Sequence, residues 1–534
     1  MRNWSDWDLG MWSFYFLLKA YLYLKGSAGF SMALTAAFLV FVLLPSPERF
    51  VRYRTFRWGR TALNCCLGAG LLWHDSWLPP FLDAVSRLQQ QGFPSLDYSL
   101  SFLMGYFTPL ALVAVAALFL LSMALRRFRV SVAVTVAVLV AVPVLAPKLG
   151  YGQQAVSEIR VEQTLTVNPD TYLRDFYASE SERVVLFNKP PADSFPFDII
   201  FLHVCSLAWD DLAAIGKREE MFFGQFDYLF TNFNSATSYS QPALIRLFLA
   251  NCGQRSHDDI HNKTQRACRM FETLADAGYA THYMLDHNGE YGDFFADLAK
   301  YGLAKARPFM PPMGLSPQAY FFDESPLYGD YDLLAKWLAA RKESKAAKVA
   351  LYYNSILLHA GGHWTDEEKK LGARSREEQF EDVESVLIDD LSRFFGLLNA
   401  SGRNVAVVVI GEHGRALRAG PMQAPDLRDI PLPGITNVPV GIKLFGPKFN
   451  GKKVRQQVIA KPSSYLAVSW MLSKFVEFSP FGPDAMSPED IAARSPKTAF
   501  VSENEGNKIV EIGGAYYFHG KGGKWIALSP GQNK

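Results

Sequence analysis

Residues 405–414 read VAVVVIGEHG, an unbroken aliphatic run that ends in Gly411, Glu412, His413 and Gly414. A short, continuous, β-branched run of this kind is the pattern of a strand covered on both faces. Three further runs read the same way: Asp198–Val204 (DIIFLHV), Lys348–Tyr353 and Val438–Phe445 (VPVGIKLF). Longer stretches of helical character separate them. Strands alternating with helices predict an α/β domain with a doubly wound, mostly parallel sheet. In such sheets functional groups collect just past the carboxyl ends of the strands. That rule selects Cys205 and Ser206 after the first run. It selects His359 and His363, in LLHAGGHW, after the second, and Glu412-His413 after 405–410.

Outward from this domain the composition changes. The chain has 534 residues, with 54 Lys+Arg against 52 Asp+Glu and a net charge of +2. A nucleic-acid binder that relies on counterion release is usually far more basic, so no nucleic-acid partner is expected. The long apolar runs lie before residue 150. Residues 26–47, 98–125 and 130–147 carry no charged side chain. Residues 9–24 are interrupted only by Lys19 and residues 61–82 only by Asp75. A bilayer core needs about 20 apolar residues in a helix, so five spans are expected. Arg49, Arg52, Arg54, Arg57 and Arg60 mark the loop at 46–60 as cytoplasmic, and Arg126, Arg127 and Arg129 do the same for 126–129. The loop at 76–97 has no such excess. Positive charge then puts the N-terminus inside and everything after residue 150 outside. Lys19 and the absence of an A-x-A cleavage site argue against a signal peptide at 9–24. The expected division is a transmembrane domain over 1–149, a polar linker over 150–194 with one short helix near 170–184, and a soluble domain over 195–534.

Five cysteines fall into three groups. Cys65 and Cys66 lie in an expected span and read as packing residues. Cys252 and Cys268 flank a polar 15-residue segment. Outside the cytoplasm they read as a disulfide, the alternative being two free buried thiols. Cys205 is left over at a strand end. It reads either as a metal ligand or as a buried apolar-like residue. Glu412-His413 offers an oxygen and a nitrogen ligand from adjacent residues. Ser240, in NFNSATSYSQP (232–242) ahead of the apolar-periodic ALIRLFLA, suits a helix N-cap. A hydroxyl there meets free N–H groups that favour phosphate.

A membrane anchor plus this order of motifs resembles the alkaline phosphatase/sulfatase superfamily, in particular its phosphoethanolamine transferases. Those usually carry an acidic residue at the first position, a Thr nucleophile and a late Asp-His. Here the matching positions are Cys205, Ser240 and Glu412-His413, followed by Val438-Pro439. These departures, with CSLAWDD (205–211), HNG (287–289), GEHGRAL (411–417), LRDIP (427–431), ITNVPVGIKLFG (435–446) and VSENE (501–505), resemble the bacterial cellulose phosphoethanolamine transferases. WSFYFLLK (12–19) and WHDSWLP (73–79) fit the membrane region of that family, so the likeness covers nearly the whole chain.

The resemblance implies a multi-pass bacterial inner-membrane enzyme with a periplasmic catalytic domain. It implies transfer of phosphoethanolamine from phosphatidylethanolamine to the 6-hydroxyl of cellulose glucose units, beside the cellulose synthase complex. Ser240 would be the nucleophile, and one Zn²⁺ would be held by Cys205, Glu412, His413 and Ser240. His359 would protonate the leaving oxygen or bind a phosphoryl oxygen. Arg428 would clamp the phosphate, unless it pairs with Asp426 or Asp429. Tyr239 would orient the phosphate through its hydroxyl. His287 and Asn288 would line the ethanolamine or glucan side, and His363 would either meet substrate or only support the site. Ser206, Ser238 and Thr237 are rival hydroxyls, and Ser206 would face away from Cys205 if the strand ran on. The alternatives are transfer to another envelope glycan, such as lipid A, and a non-catalytic subunit of the synthase.

Overall fold

The computed structural model describes residues 9–25, 28–44, 53–76, 109–146, 168–191, 194–217, 221–290, 294–309, 314–365, 375–418, 425–451, 455–520 and 523–528. They form two compact units, one before residue 147 and one from residue 168 on.

In the first unit, helices fall on all five expected segments: α1 (Trp12–Leu24), α2 (Met32–Leu43), α3 (Arg54–Asp75), α4 (Pro109–Arg127) and α5 (Ser131–Leu145). Among the described residues no helix is long and apolar enough to cross a membrane. The expected loop at 46–60 is in part helix, because α3 begins at Arg54 and carries Arg57 and Arg60 in its first turns. Residues 77–108 and 147–167, and with them most of the expected outer loop and the front of the fourth span, lie outside the described residues. Cys65 and Cys66, expected as packing residues, are exposed on α3. The two charges that interrupt the apolar segments meet each other. Lys19 Nζ donates to Asp75 Oδ2, and Ser31 Oγ donates to Asp75 Oδ1 at 2.6 Å. Lys19 is fully buried, and a buried charge persists only when it is paired.

The second unit is built on a mixed eight-stranded sheet. Its strands are β1 (Asp198–Val204), β2 (Tyr228–Asn234), β3 (Ala280–Leu285), β4 (Arg307–Pro308), β7 (Val349–Ser355), β9 (Val405–Gly411), β10 (Asn437–Phe445) and β11 (Gln457–Ile459). Their order is β11-β2-β10-β9-β1-β7-β3-β4. All four runs read from the sequence are strands, and β1, β7 and β9 are buried along their whole length. The sheet is mostly parallel, but β10 runs antiparallel to both β9 and β2. Its register with β2 shifts between Val438 and Val440, at Pro439, which has no N–H to give to a ladder. The reversal has a consequence for the site. The carboxyl ends of β1, β2, β7 and β9 share one edge of the sheet, and the segment entering β10 arrives at that same edge.

Helices cover the sheet: α7 (Trp209–Ala214), α8 (Ser240–Phe248), α9 (Met270–Asp276), α10 (Asp330–Glu343), α11 (Arg376–Ser401) and α12 (Tyr465–Glu477). Leu244, Ile245, Leu247 and Phe248 of α8 pack with Met270 and Phe271 of α9 and with Ile199 and Phe201 of β1. Two smaller sheets complete the unit: β5 (Ala319–Tyr320), β6 (Pro326–Leu327) and β8 (His363–Trp364), and β12 (Val501–Asn504), β13 (Asn507–Ile512), β14 (Ala515–His519) and β15 (Ile526–Leu528). Residues 168–191 are more than a linker. Helix α6 (Pro169–Ser181) buries Leu173 and Phe176 against Val501, Val510 and Tyr517. Its polar outer face hid that apolar side in the sequence. Cys252 and Cys268 form the expected disulfide, with Cα atoms 4.9 Å apart, inside the ordinary range.

Candidate functional site

Four strand ends deliver the site. Past β1, Cys205 is fully buried. Its N–H donates to the carbonyl of Ser355, at the end of β7, which fixes the turn. Past β9 come Glu412 and His413, both fully buried. The backbone must pass very close here: a Cβ at Gly411 would lie 2.3 Å from the Leu207 carbonyl, and one at Gly414 2.6 Å from Asp211 Oδ2. Glycine is required at both positions. Asp211 of α7 then holds the outgoing loop by accepting from the N–H groups of Arg415 (2.6 Å) and Leu417 (2.9 Å). Burial still pushes its carboxyl up to about 6.

Past β2 the chain enters α8. Ser240 is the first residue of that helix and not its N-cap, a place taken by Tyr239. Its hydroxyl is therefore not consumed by capping. It lies 3.4 Å from Cys205 Sγ and 3.2 Å from His413 Nε2. The rivals are held elsewhere. Thr237 Oγ1 donates to Asn504 Oδ1 at 2.9 Å, and Ser238 Oγ donates to the Arg428 carbonyl. Ser206 does not face away, because β1 stops at Val204 and Ser206 adopts φ +60°. This left-handed turn brings its hydroxyl to 3.5 Å from Cys205 Sγ and 3.3 Å from Arg428 Nη1. Strain of this kind tends to collect at functional sites.

The electrostatics favour a cation. Cys205 Sγ, a Glu412 oxygen and a His413 ring nitrogen lie within 4.8 Å of one another. Sulfur sits 3.7 Å from His413 Nε2. His413 Nδ1 lies 2.9 Å from the Gly414 carbonyl. That oxygen can only accept, so Nδ1 carries the proton and Nε2 presents a lone pair. Glu412 Oε2 is buried without a hydrogen-bond partner among the described residues. Burial pushes the Cys205 thiol up to about 12 and the Glu412 carboxyl up to about 7. It pushes His413 well down, with Arg428 adding to the effect. A bound cation would offset the cost of ionising Cys205 and Glu412, and burial already keeps His413 in the neutral form that ligates. A sulfur, oxygen and nitrogen set suits Zn²⁺ and suits Mg²⁺ or Ca²⁺ poorly.

Arg428 arrives on the segment entering β10. Its Nη2 donates to His359 Nε2 at 3.3 Å, whereas its Nη1 donates to Ser206 Oγ and its 3.3 Å approach to the protonated His413 Nδ1 is a contact between two donors. Among the described residues Arg428 makes no ion pair with Asp426 or Asp429. Asp426 pairs with Arg376 and Arg415, and Asp429 accepts from the Tyr239 hydroxyl at 2.9 Å. The Tyr239 hydroxyl thus donates to Asp429 here. His359 Nδ1 is 2.8 Å from the Ala360 carbonyl, so its Nε2 is an acceptor toward Arg428. Burial, then Arg428, push it down to about 3, although part of the residue still meets solvent. In this state His359 holds no proton at Nε2 to give away.

Two expected binding residues are bonded within the chain, His287 in the interior and Asn288 nearer the surface. His287 is buried, and its Nε2 meets Asn354 Oδ1 at 3.1 Å. Asn288 uses both amide atoms on Glu290 within its own turn. The side chain of His363 lies outside the described residues. Three residues escaped the sequence reading. Asn354 donates to Glu412 Oε1 at 2.6 Å. His203 Nδ1 lies 3.3 Å from the same oxygen. Asn504 ties the Ser240 loop to the Arg428 loop, accepting from Thr237 and donating to the carbonyls of Arg428 and Asp429, both at 3.0 Å. VSENE marked Asn504 in the sequence, but nothing there told its role.

Residues 12–144 match the family described as Cellulose biosynthesis protein BcsG N-terminal domain, and residues 153–525 match its C-terminal domain. The chain belongs to the BcsG family. It is 33% identical to the Cellulose biosynthesis protein BcsG of Escherichia coli (strain K12) over 98% of this chain and 97% of the relative. It is 34% identical to the protein of the same name in Salmonella typhimurium, with the same coverage. The resemblance drawn from the sequence strings holds as to family. A solved structure described as a protein in the alkaline phosphatase superfamily from Vibrio parahaemolyticus is similar at 12% identity and TM-score 0.49, covering 68% of this chain and 88% of that one.

Proposed function

We propose that this BcsG-family chain transfers phosphoethanolamine from phosphatidylethanolamine to the 6-hydroxyl of glucose units in cellulose, through a covalent intermediate on Ser240. The observation that carries this is the Ser240 hydroxyl, uncapped at a helix start, 3.4 Å from Cys205 Sγ and 3.2 Å from His413 Nε2. Cys205, Glu412 and His413 would hold one Zn²⁺, with Ser240 facing it. Zinc bound there supplies a Lewis acid that favours the alkoxide of Ser240 and offsets phosphoryl charge.

The residues of the chain do the rest. Ser240 Oγ attacks phosphorus, and the bond from phosphorus to the diacylglycerol oxygen breaks. His359, neutral with Nε2 accepting from Arg428 Nη2, takes up the proton that Ser240 loses and passes it to that leaving oxygen. Arg428 holds the phosphoryl oxygens between His413 and His359. A glucan O6 then displaces Ser240, and the serine regains its proton. The helix start at Ser240 adds free N–H groups aimed at the same charge.

We infer the following setting for this reaction. Residues 1–149 form a multi-pass inner-membrane domain with the N-terminus in the cytoplasm, 150–194 connect, and 195–534 form the periplasmic catalytic domain beside cellulose synthase subunits. The buried Lys19–Asp75 pair supports this reading, since ionisable groups inside a membrane pair with one another. The test is solid-state carbon and phosphorus NMR of extracellular cellulose from cells carrying the wild-type chain or Ser240→Ala. Phosphoethanolamine in the first and none in the second is expected. Modified cellulose from both would remove Ser240, and unmodified cellulose from both would remove the acceptor.

A further inference from the structure

Asn354 lies at the end of β7, fully buried and in register with His203 of β1 and Leu285 of β3. Its amide is held in one orientation by a chain of bonds whose directions are forced. The Gly289 N–H can only donate, and it meets His287 Nδ1 at 3.1 Å. His287 therefore carries its proton on Nε2, which donates to Asn354 Oδ1 at 3.1 Å. The amide nitrogen must then face the other way. It donates to the His203 carbonyl at 2.9 Å and to Glu412 Oε1 at 2.6 Å. This leaves Glu412 Oε2 as the oxygen without a partner, 3.9 Å from His413 Nε2.

We propose that Asn354, oriented by His287, is a positioning residue for the metal ligand Glu412. It holds one carboxylate oxygen so that the other is presented to the ion. The inference rests on the zinc reading above. An amide suits this task better than a cation. It fixes the carboxylate by hydrogen bonds without neutralising the charge that the ion needs.

The test uses the purified full chain, stripped with chelator and reloaded with zinc or cobalt. Chelator competition should show zinc affinity lowered by about 10–100-fold in Asn354→Ala. In the cobalt form, the sulfur-to-metal absorption from Cys205 should persist while the ligand-field bands change, a signature that mere loosening of the core does not give. His287→Leu should lower affinity in the same direction by less. His287→Gln keeps an N–H toward Asn354 and should restore it. If Asn354→Ala does not fold, the two His287 variants decide. Folded variants with unchanged zinc affinity and unchanged cobalt spectra would overturn Asn354 alone. A wild-type chain that binds no zinc would overturn this inference together with the metal reading beneath it.

Discussion

Asp198 and Glu412 are both fully buried carboxylates on neighbouring strands of one sheet, at opposite ends of it. At the amino end, Asp198 is saturated. Its Oδ1 accepts from Arg341 Nη2 at 3.0 Å and the Val349 N–H at 2.8 Å, and its Oδ2 accepts from Arg341 Nε at 3.0 Å and Arg403 Nε at 3.3 Å. At the carboxyl end, Glu412 has one oxygen bonded by Asn354 and the other without a hydrogen-bond partner among the described residues. A folded chain leaves a buried polar atom orphaned only rarely. On the proposed function, the contrast would separate a carboxylate that holds the fold from one held ready for a ligand.

Removing groups at the carboxyl end should therefore cost function, and removing groups at the amino end should cost stability. The largest effect is expected from Ser240→Ala, which should lower transfer by more than about a thousandfold and change stability by no more than about 0.5 kcal/mol. Transfer assays beside thermal unfolding check both. Retained transfer would break the assignment of chemistry to that end.

Next is Arg341→Met, which leaves Asp198 buried without its bidentate partner. It should destabilise by about 3–5 kcal/mol in thermal unfolding, with turnover per folded molecule unchanged. A loss of turnover in the folded fraction would blur the two ends. The disulfide closes the segment that follows α8. Replacing Cys252 and Cys268 by serine together should cost about 3 kcal/mol, and reductant should then no longer shift the melting of the variant.

The finest test is a slope with pH. Burial pushes the Asp330 carboxyl up to about 7, and Asp286, which shares the Ser355 hydroxyl with it, is also held well above the usual range. A carboxyl raised in the folded state stabilises fully below its unfolded value near 4. That contribution is lost as pH rises through about 7. The melting of metal-free wild type relative to Asp330→Asn should therefore fall as pH climbs from about 4 to about 7, because the comparison isolates this carboxyl from the buried histidines that titrate in the same window. An unchanged slope would show that Asp330 ionises freely.

How much of this was legible follows from what each signal requires. The aliphatic strands β1, β7, β9 and β10 announce themselves because both faces are buried. Strands β2 (YLFTNFN) and β3 (ATHYML) were missed, since their polar residues break both periodicities. Cys205, Glu412 and His413 stood out because strand ends in an α/β sheet are few, Ser240 because it opens a helix, and the structure brings the four together. Asn354 and Asn504 were not, because an asparagine at a strand end looks like any other until its partners are known. Ser206 was misplaced because strand alternation fails where the backbone turns left-handed. Tyr239 and His287 were read as facing substrate. Their types allowed it, and the structure bonds the Tyr239 hydroxyl to Asp429 and His287 Nε2 to Asn354, partners that nothing in the sequence marked.

The most direct measurement is metal content by mass spectrometry on the purified full chain, made without added metal or chelator. One zinc per chain is expected in the wild type and in Arg341→Met, and none in Cys205→Ala or Glu412→Gln. A wild-type chain without zinc, or a full complement in Cys205→Ala and Glu412→Gln, would contradict the account.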